Sequence, residues 1–90
     1  MGTALVKIKI MPSSTGEDLK AIGKEAEKII LKGKCTQYSS EEQDIAFGLK
    51  ALIVSFAIDE SLELESVERA LERIKGVSSV QVIDMRRAFG

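Results

Sequence analysis

The run Ile45–Asp59, IAFGLKALIVSFAID, is the most apolar stretch of the chain and limits where everything else can go. Leu52, Val54, Phe56 and Ile58 alternate onto one side. Leu49, Ala51, Ile53, Ser55 and Ala57 fall on the other, with smaller but still mostly apolar side chains. A strand apolar on both sides sits in the middle of a sheet. The spacing predicts one long, nearly buried strand, entered through the Phe47–Gly48 step and ended by Asp59-Glu60-Ser61. Such a strand needs neighbours on both edges and a layer packed above it.

The flanking sequence supplies them. Residues 3–11 alternate, with Ala4, Val6, Ile8 and Ile10 on one side and Leu5, Lys7, Lys9 and Met11 on the other, a strand with one core face. Pro12 lacks an amide donor and ends that ladder. A helix over 17–31 follows, its apolar stripe being Leu19, Ile22, Ala26, Ile29 and Ile30. Thr15 with Asp18 three residues later reads as its capping box. Gly23 inside the helix suggests close approach to the sheet, and Gly33 suits the left-handed position after its end. Residues 34–40 read as a polar edge strand holding Cys35 half-buried, and Ser40-Glu41-Glu42-Gln43-Asp44 as an acidic turn. After the central strand, Leu64, Val67, Leu71 and Ile74 mark a second helix over about 62–75, closed by Gly76. A last strand covers 77–86, with Val80 and Val82 facing one way and Ile83 and Met85 the other. The order is β-α-β-β-α-β. Right-handed crossovers then give an α+β, ferredoxin-like sandwich: a four-stranded antiparallel sheet in the order 4-1-3-2 with both helices on one face. Ninety residues make a single domain, 1–90.

Several activities are hard to build from these residues. There is no histidine and only one cysteine, so no Ser/Cys–His pair, imidazole ligand or Cys–Cys metal site is available. A net charge of −1 gives no overall attraction for nucleic acid or anionic lipid. No apolar run approaches the ~20 residues of a membrane span, and the N-terminus is no secretory signal; both point to a cytoplasmic chain. The fold leaves one sheet face uncovered, expected to carry Leu5, Leu49, Ile53, Ile83 and Met85 beside Lys7, Lys9, Ser55 and Gln81. RNA-recognition domains stack bases on aromatics of that face, but the first strand has none and Phe56 belongs to the helix side. What survives is protein binding, or small-ligand sensing between subunits.

Taken in order, MGTALVKIKIMPSS at the start, IAFGLKALIVSFAIDE at 45–60 and GVSSVQVIDMRR at 76–87 resemble the archaeal elongation factor 1-beta family. They are also similar to the C-terminal guanine-nucleotide exchange domain of the eukaryotic factor. The resemblance runs over essentially the whole chain. It implies a monomer that binds the GTPase elongation factor 1-alpha and promotes exchange of GDP for GTP by weakening the nucleotide and Mg²⁺ site. It implies no covalent chemistry, cofactor, direct nucleic-acid contact or membrane. By the same resemblance, Phe47 with Gly48 contacts the partner, and the tail Arg86, Arg87 and Phe89 reaches toward its Mg²⁺ site. The eukaryotic pattern has a lysine next to last, whereas this chain has Phe89 before Gly90. In an antiparallel sheet Phe47 and the tail lie roughly 30 Å apart, too far to share one pocket. The alternative is a dimeric ligand-sensing domain of the same fold. It would want glycines in the loop after the first strand, where Gly16 stands alone.

Overall fold

The computed structural model describes residues 2–88. Its elements are β1 (Thr3–Pro12), α1 (Leu19–Lys32), β2 (Thr36–Ala46), β3 (Leu49–Asp59), α2 (Leu64–Glu72) and β4 (Val77–Ala88). The strands form one antiparallel sheet in the order β2-β3-β1-β4, the expected ferredoxin-like arrangement.

The core lies between the sheet and the helices. Register places Val6 opposite Phe56, Ile8 opposite Val54 and Ile10 opposite Leu52. Ile22, Ala26 and Ile30 of α1 and Val67 and Leu71 of α2 close over that row, and all of these side chains are buried. Apolar stripes at three- and four-residue spacing meet apolar strands at two-residue spacing. On the other face Ile53 is also covered (4% exposed), between its cross-strand neighbours Lys9 and Glu41. The second apolar side of β3 is therefore closed by side chains of its own sheet.

Local chemistry moves several boundaries. Asp18, not Thr15, caps α1: its Oδ1 accepts the Lys20 and Ala21 N–H groups at 3.0 and 3.3 Å. Gly33 is not left-handed. It is the last half-helical residue (φ −81°), and Lys34 takes the left-handed position (φ 65°). The Lys34 and Cys35 N–H groups then bond the Leu31 and Ile30 carbonyls, closing a Schellman motif with lysine where glycine is usual. Cys35 precedes β2 and is buried rather than half-buried; burial pushes its thiol pKa up, which disfavours the reactive thiolate. Helix α2 is shorter than expected, its end tightened by Arg73→Ala70 and Ile74→Leu71 backbone bonds.

The expected acidic turn at 40–44 is strand instead: β2 runs on to Ala46, pairing Glu41 with Ile53, Glu42 with Leu52 and Asp44 with Lys50. Ile45 and Ala46 therefore belong to β2, and the central strand begins only at Leu49. In β4 an extra residue at Ile83 shifts the register with β1. Val82 faces Ile8 and Met85 faces Val6, so Met85 lies on the helix side with Val80 and Val82, not on the open face.

Gly23 does lie against the sheet, its carbonyl accepting the Tyr38 hydroxyl at 2.9 Å. A Cβ there would meet Leu52 Cδ2 at 3.5 Å, an ordinary contact. Space is thus available for a methyl group, and Gly23→Ala should stabilise the fold by about 0.5–1 kcal/mol through helix propensity. Urea denaturation checks this through a raised midpoint at unchanged slope.

Candidate functional site

Phe47 and Gly48 are not the entry to a buried strand but the two-residue tip of the β2–β3 hairpin, flanked by the Ala46–Leu49 pair. Both residues have positive φ, 53° and 80°, the sign pattern of a type I′ turn that matches the twist of the two strands. Glycine adopts this backbone freely, and a Cβ on Gly48 would find nothing within 4 Å, so conformation alone asks for glycine there. Phenylalanine does not adopt it freely; a bulky residue in the left-handed region costs about 1–2 kcal/mol. The Phe47 side chain recovers nothing by packing, since it is fully exposed (103%). Neither packing within the chain nor backbone preference accounts for phenylalanine at this position.

Exposed ion pairs cross the hairpin below its tip. Lys50 Nζ stands 3.8 Å from Glu42 and 4.0 Å from Asp44, across the strand pair. The extra residue Ile45 bulges beside the tip and is partly exposed, adding a second apolar group next to Phe47. The β1–α1 loop lies at this same end, and its Ser13 N–H bonds the carbonyl of Gly76 (φ 92°) at 2.8 Å.

Arg86 and Arg87 stand at the opposite end. They are not a free tail: both are in β4, paired across from Leu5 and Ala4. Ala4 also faces Ile58, so Arg87 sits beside the far end of β3, roughly 30 Å from the hairpin tip in a molecule 42 Å long. The structure therefore separates Phe47 and Gly48 from the arginines, as the strand directions imply. Consecutive strand residues alternate, so Arg87 lies on the helix side with Met85 and Arg86 on the open side. Arg86 Nε is 3.2 Å from Asp84 Oδ2, and Arg87 Nε is 3.3 Å from Glu60 Oε1. Phe89, the remaining residue of the expected contact set, lies outside the described residues.

Next to the arginines, Asp59 Oδ1 accepts the Ser61 N–H at 2.9 Å, and this bond holds the Asp59 carboxyl below the usual aspartate range. The support it gives the β3–α2 turn is present at neutral pH and is lost as acid protonates it. Glu60, Met85 and Leu62 complete this end: Met85 and Leu62 line an open groove of ≈ 420 Å³ with Ala4, Ile58 and Leu64. Sequence reading missed this groove because it assumed unbroken alternation in β4, and a one-residue bulge without glycine leaves no mark in the sequence. Among the described residues no three His, Cys, Asp or Glu side chains converge on a metal position, and no helix is long and apolar enough to cross a membrane.

Replacing Phe47 by asparagine, the residue that favours this turn with glycine, should raise stability by about 1 kcal/mol. Thermal unfolding would show a melting temperature higher by roughly 4–8 °C.

Comparison with known proteins bears on what these two ends serve. The EF-1 guanine nucleotide exchange domain family matches residues 5–88. The elongation factor 1-beta of Methanosarcina barkeri is 41% identical over 88 residues, covering 97% of this chain and 99% of that protein. The elongation factor 1-beta of Methanothermobacter thermautotrophicus is 40% identical over 88 residues, covering 97% and 98%. That of Thermoplasma acidophilum is 35% identical over 81 residues, covering 89% and 91%. The chain belongs to the family of elongation factor 1-beta guanine nucleotide exchange domains.

Proposed function

We propose that this chain promotes release of GDP from the GTPase elongation factor 1-alpha, binding it through Phe47 and Gly48 at one end of the sheet and through Arg86 and Arg87 at the other. The observation that carries the reading is Phe47: an exposed aromatic at a hairpin tip, on a backbone that disfavours it. Aromatic side chains that bury fully in a partner's pocket supply much of an interface's energy. The β3 strand between the two ends is buried on both faces, so their separation is fixed before binding.

The mechanism is thermodynamic. A GTPase holds GDP through its phosphate loop and through Mg²⁺ on the phosphates. A factor that binds the nucleotide-free state better than the GDP state must weaken GDP binding by the same ratio. A guanidinium brought near the Mg²⁺ site would oppose the metal electrostatically. No bond is made or broken on the factor, so no catalytic residue, cofactor or metal of its own is called for. Both contact regions lie on one chain, so a monomer suffices, and neither nucleic acid nor membrane takes part. Phe89, next to the arginines in sequence, belongs to the same proposed contact.

Stopped-flow release of a fluorescent GDP from elongation factor 1-alpha tests this. At sub-saturating factor, Phe47→Ala should slow release roughly 30-fold, as losing a contact of about 2 kcal/mol would. Arg86→Ala and Arg87→Ala should slow it less. Point substitutions are the right test here, because a chain ending at Asp84 would also lose the β4 pairing to Leu5 and Val6. Wild-type release with Phe47→Ala would overturn the reading.

A further inference from the structure

Three strand ends meet below the arginines. Thr3 stands opposite both Asp59 and Ala88, and Ala4 opposite both Ile58 and Arg87. Glu60, the first residue after β3, turns back onto the start of β1, its N–H donating to the Gly2 carbonyl at 3.0 Å. Its carboxylate then lies over Gly2: a Cβ on that glycine would stand 2.4 Å from Glu60 Oε1 and 2.6 Å from its Cδ. A methyl group on Gly2 would therefore push the carboxylate aside. From this seat Oε1 reaches Arg87 Nε at 3.3 Å.

The two members of the pair are held unequally. The Glu60 side chain is 32% exposed and the Arg87 side chain 83%. The carboxylate is the seated group and the guanidinium the presented one. A guanidinium carries five donors in a planar fork. Approached at Nε, its inner nitrogen, it keeps outer donors for a second anion. Arg86 is arranged differently. It lies on the open face, and its counter-ion Asp84 is two residues back on the same strand. Only Arg87 shares its face with the apolar groove of Met85, Leu62 and Leu64.

We propose that Glu60 is a positioning residue: seated on Gly2, it aims Arg87, rather than Arg86, at a carboxylate of the partner GTPase. This rests on the exchange-factor reading above. A long side chain held in one direction loses less rotamer freedom on binding. An exposed ion pair is weak enough to let the guanidinium adjust as the second anion arrives.

The test uses the full chain and the same GDP-release assay, run over a range of factor concentrations. Glu60→Gln should raise the half-saturating concentration by about two- to five-fold, the range an exposed pair supplies, and leave the saturating rate unchanged. Gly2→Ala should reproduce this, because its methyl displaces the carboxylate. Both effects should vanish in an Arg87→Ala background and persist in an Arg86→Ala background. By NMR, the Arg87 Nε–H of the free factor should exchange with water faster once Glu60 is glutamine. Arg87→Ala should weaken the nucleotide-free complex at least as much as the GDP-bound one, as a contact to a protein carboxylate requires. Weakening of the GDP-bound complex alone would overturn the proposal, because a contact to the GDP phosphates would favour GDP binding. Equal losses from Glu60→Gln with and without Arg87 would overturn it, as would no loss at all in an otherwise active factor. A wild-type factor that releases no GDP would overturn the exchange reading instead, and the positioning role toward a GTPase with it, while leaving the NMR signature of the pair in place.

Discussion

Burial of the helix-side faces of β1 and β3 is the interaction on which the rest of the molecule depends. Ala4, Val6, Ile8 and Ile10 lie opposite Ile58, Phe56, Val54 and Leu52, and all eight are buried beneath the two helices. Each of these side chains other than Ala4 contributes about 1.5–3 kcal/mol. A ninety-residue chain has a net stability of only about 5–15 kcal/mol, so this row cannot be interrupted. It also sets the distance between the two ends of the sheet. A pair of long, fully packed strands does not shorten or bend, and whatever projects from its ends is presented at fixed spacing.

The ends themselves are built against local preference or from weak contacts. Phe47 occupies a turn position that asparagine would fill with less strain, and its ring has nothing to pack on. Arg86 and Arg87 carry exposed ion pairs of the kind that contribute little to folding. Stability is concentrated in the middle of the sheet; left-handed non-glycine residues occur at Lys34, Gln37 and Phe47, and of these only Phe47 is an exposed large apolar side chain. A protein that works by binding one state of a GTPase better than another needs no enclosed pocket. It needs contact regions held at a fixed spacing, and on the proposed reading the packed β1 and β3 strands supply that spacing.

Much of this was legible in the sequence, and the reason is periodicity. Two helical stripes and alternating strands identified the six elements and the core faces of both helices, β1 and β3, and the handedness of the crossovers gave the strand order. What was not legible came from single residues. The hairpin tip was misplaced because Ile45 and Ala46 are apolar and read as part of the following strand; the polar residues 40–44 before them are strand too, exposed because β2 is an edge. Bulges at Ile45 and Ile83 changed which side chains share a face, which is how Met85 moved to the helix side. The end of α1 slipped by one residue, leaving Lys34 rather than Gly33 in the left-handed position. At the candidate site, Phe47 and the arginines could be named from sequence. That the two arginines point to opposite faces, each with its own carboxylate, required the register.

The central claim is that both ends of one rigid sheet engage the partner together. Hydrogen–deuterium exchange on the chain, alone and bound to nucleotide-free elongation factor 1-alpha, tests it most directly. The account predicts slowed exchange at residues 45–49 and at residues 84–87 in the same complex. Slowing at one end alone, or only along the outer faces of α1 and α2, would contradict it.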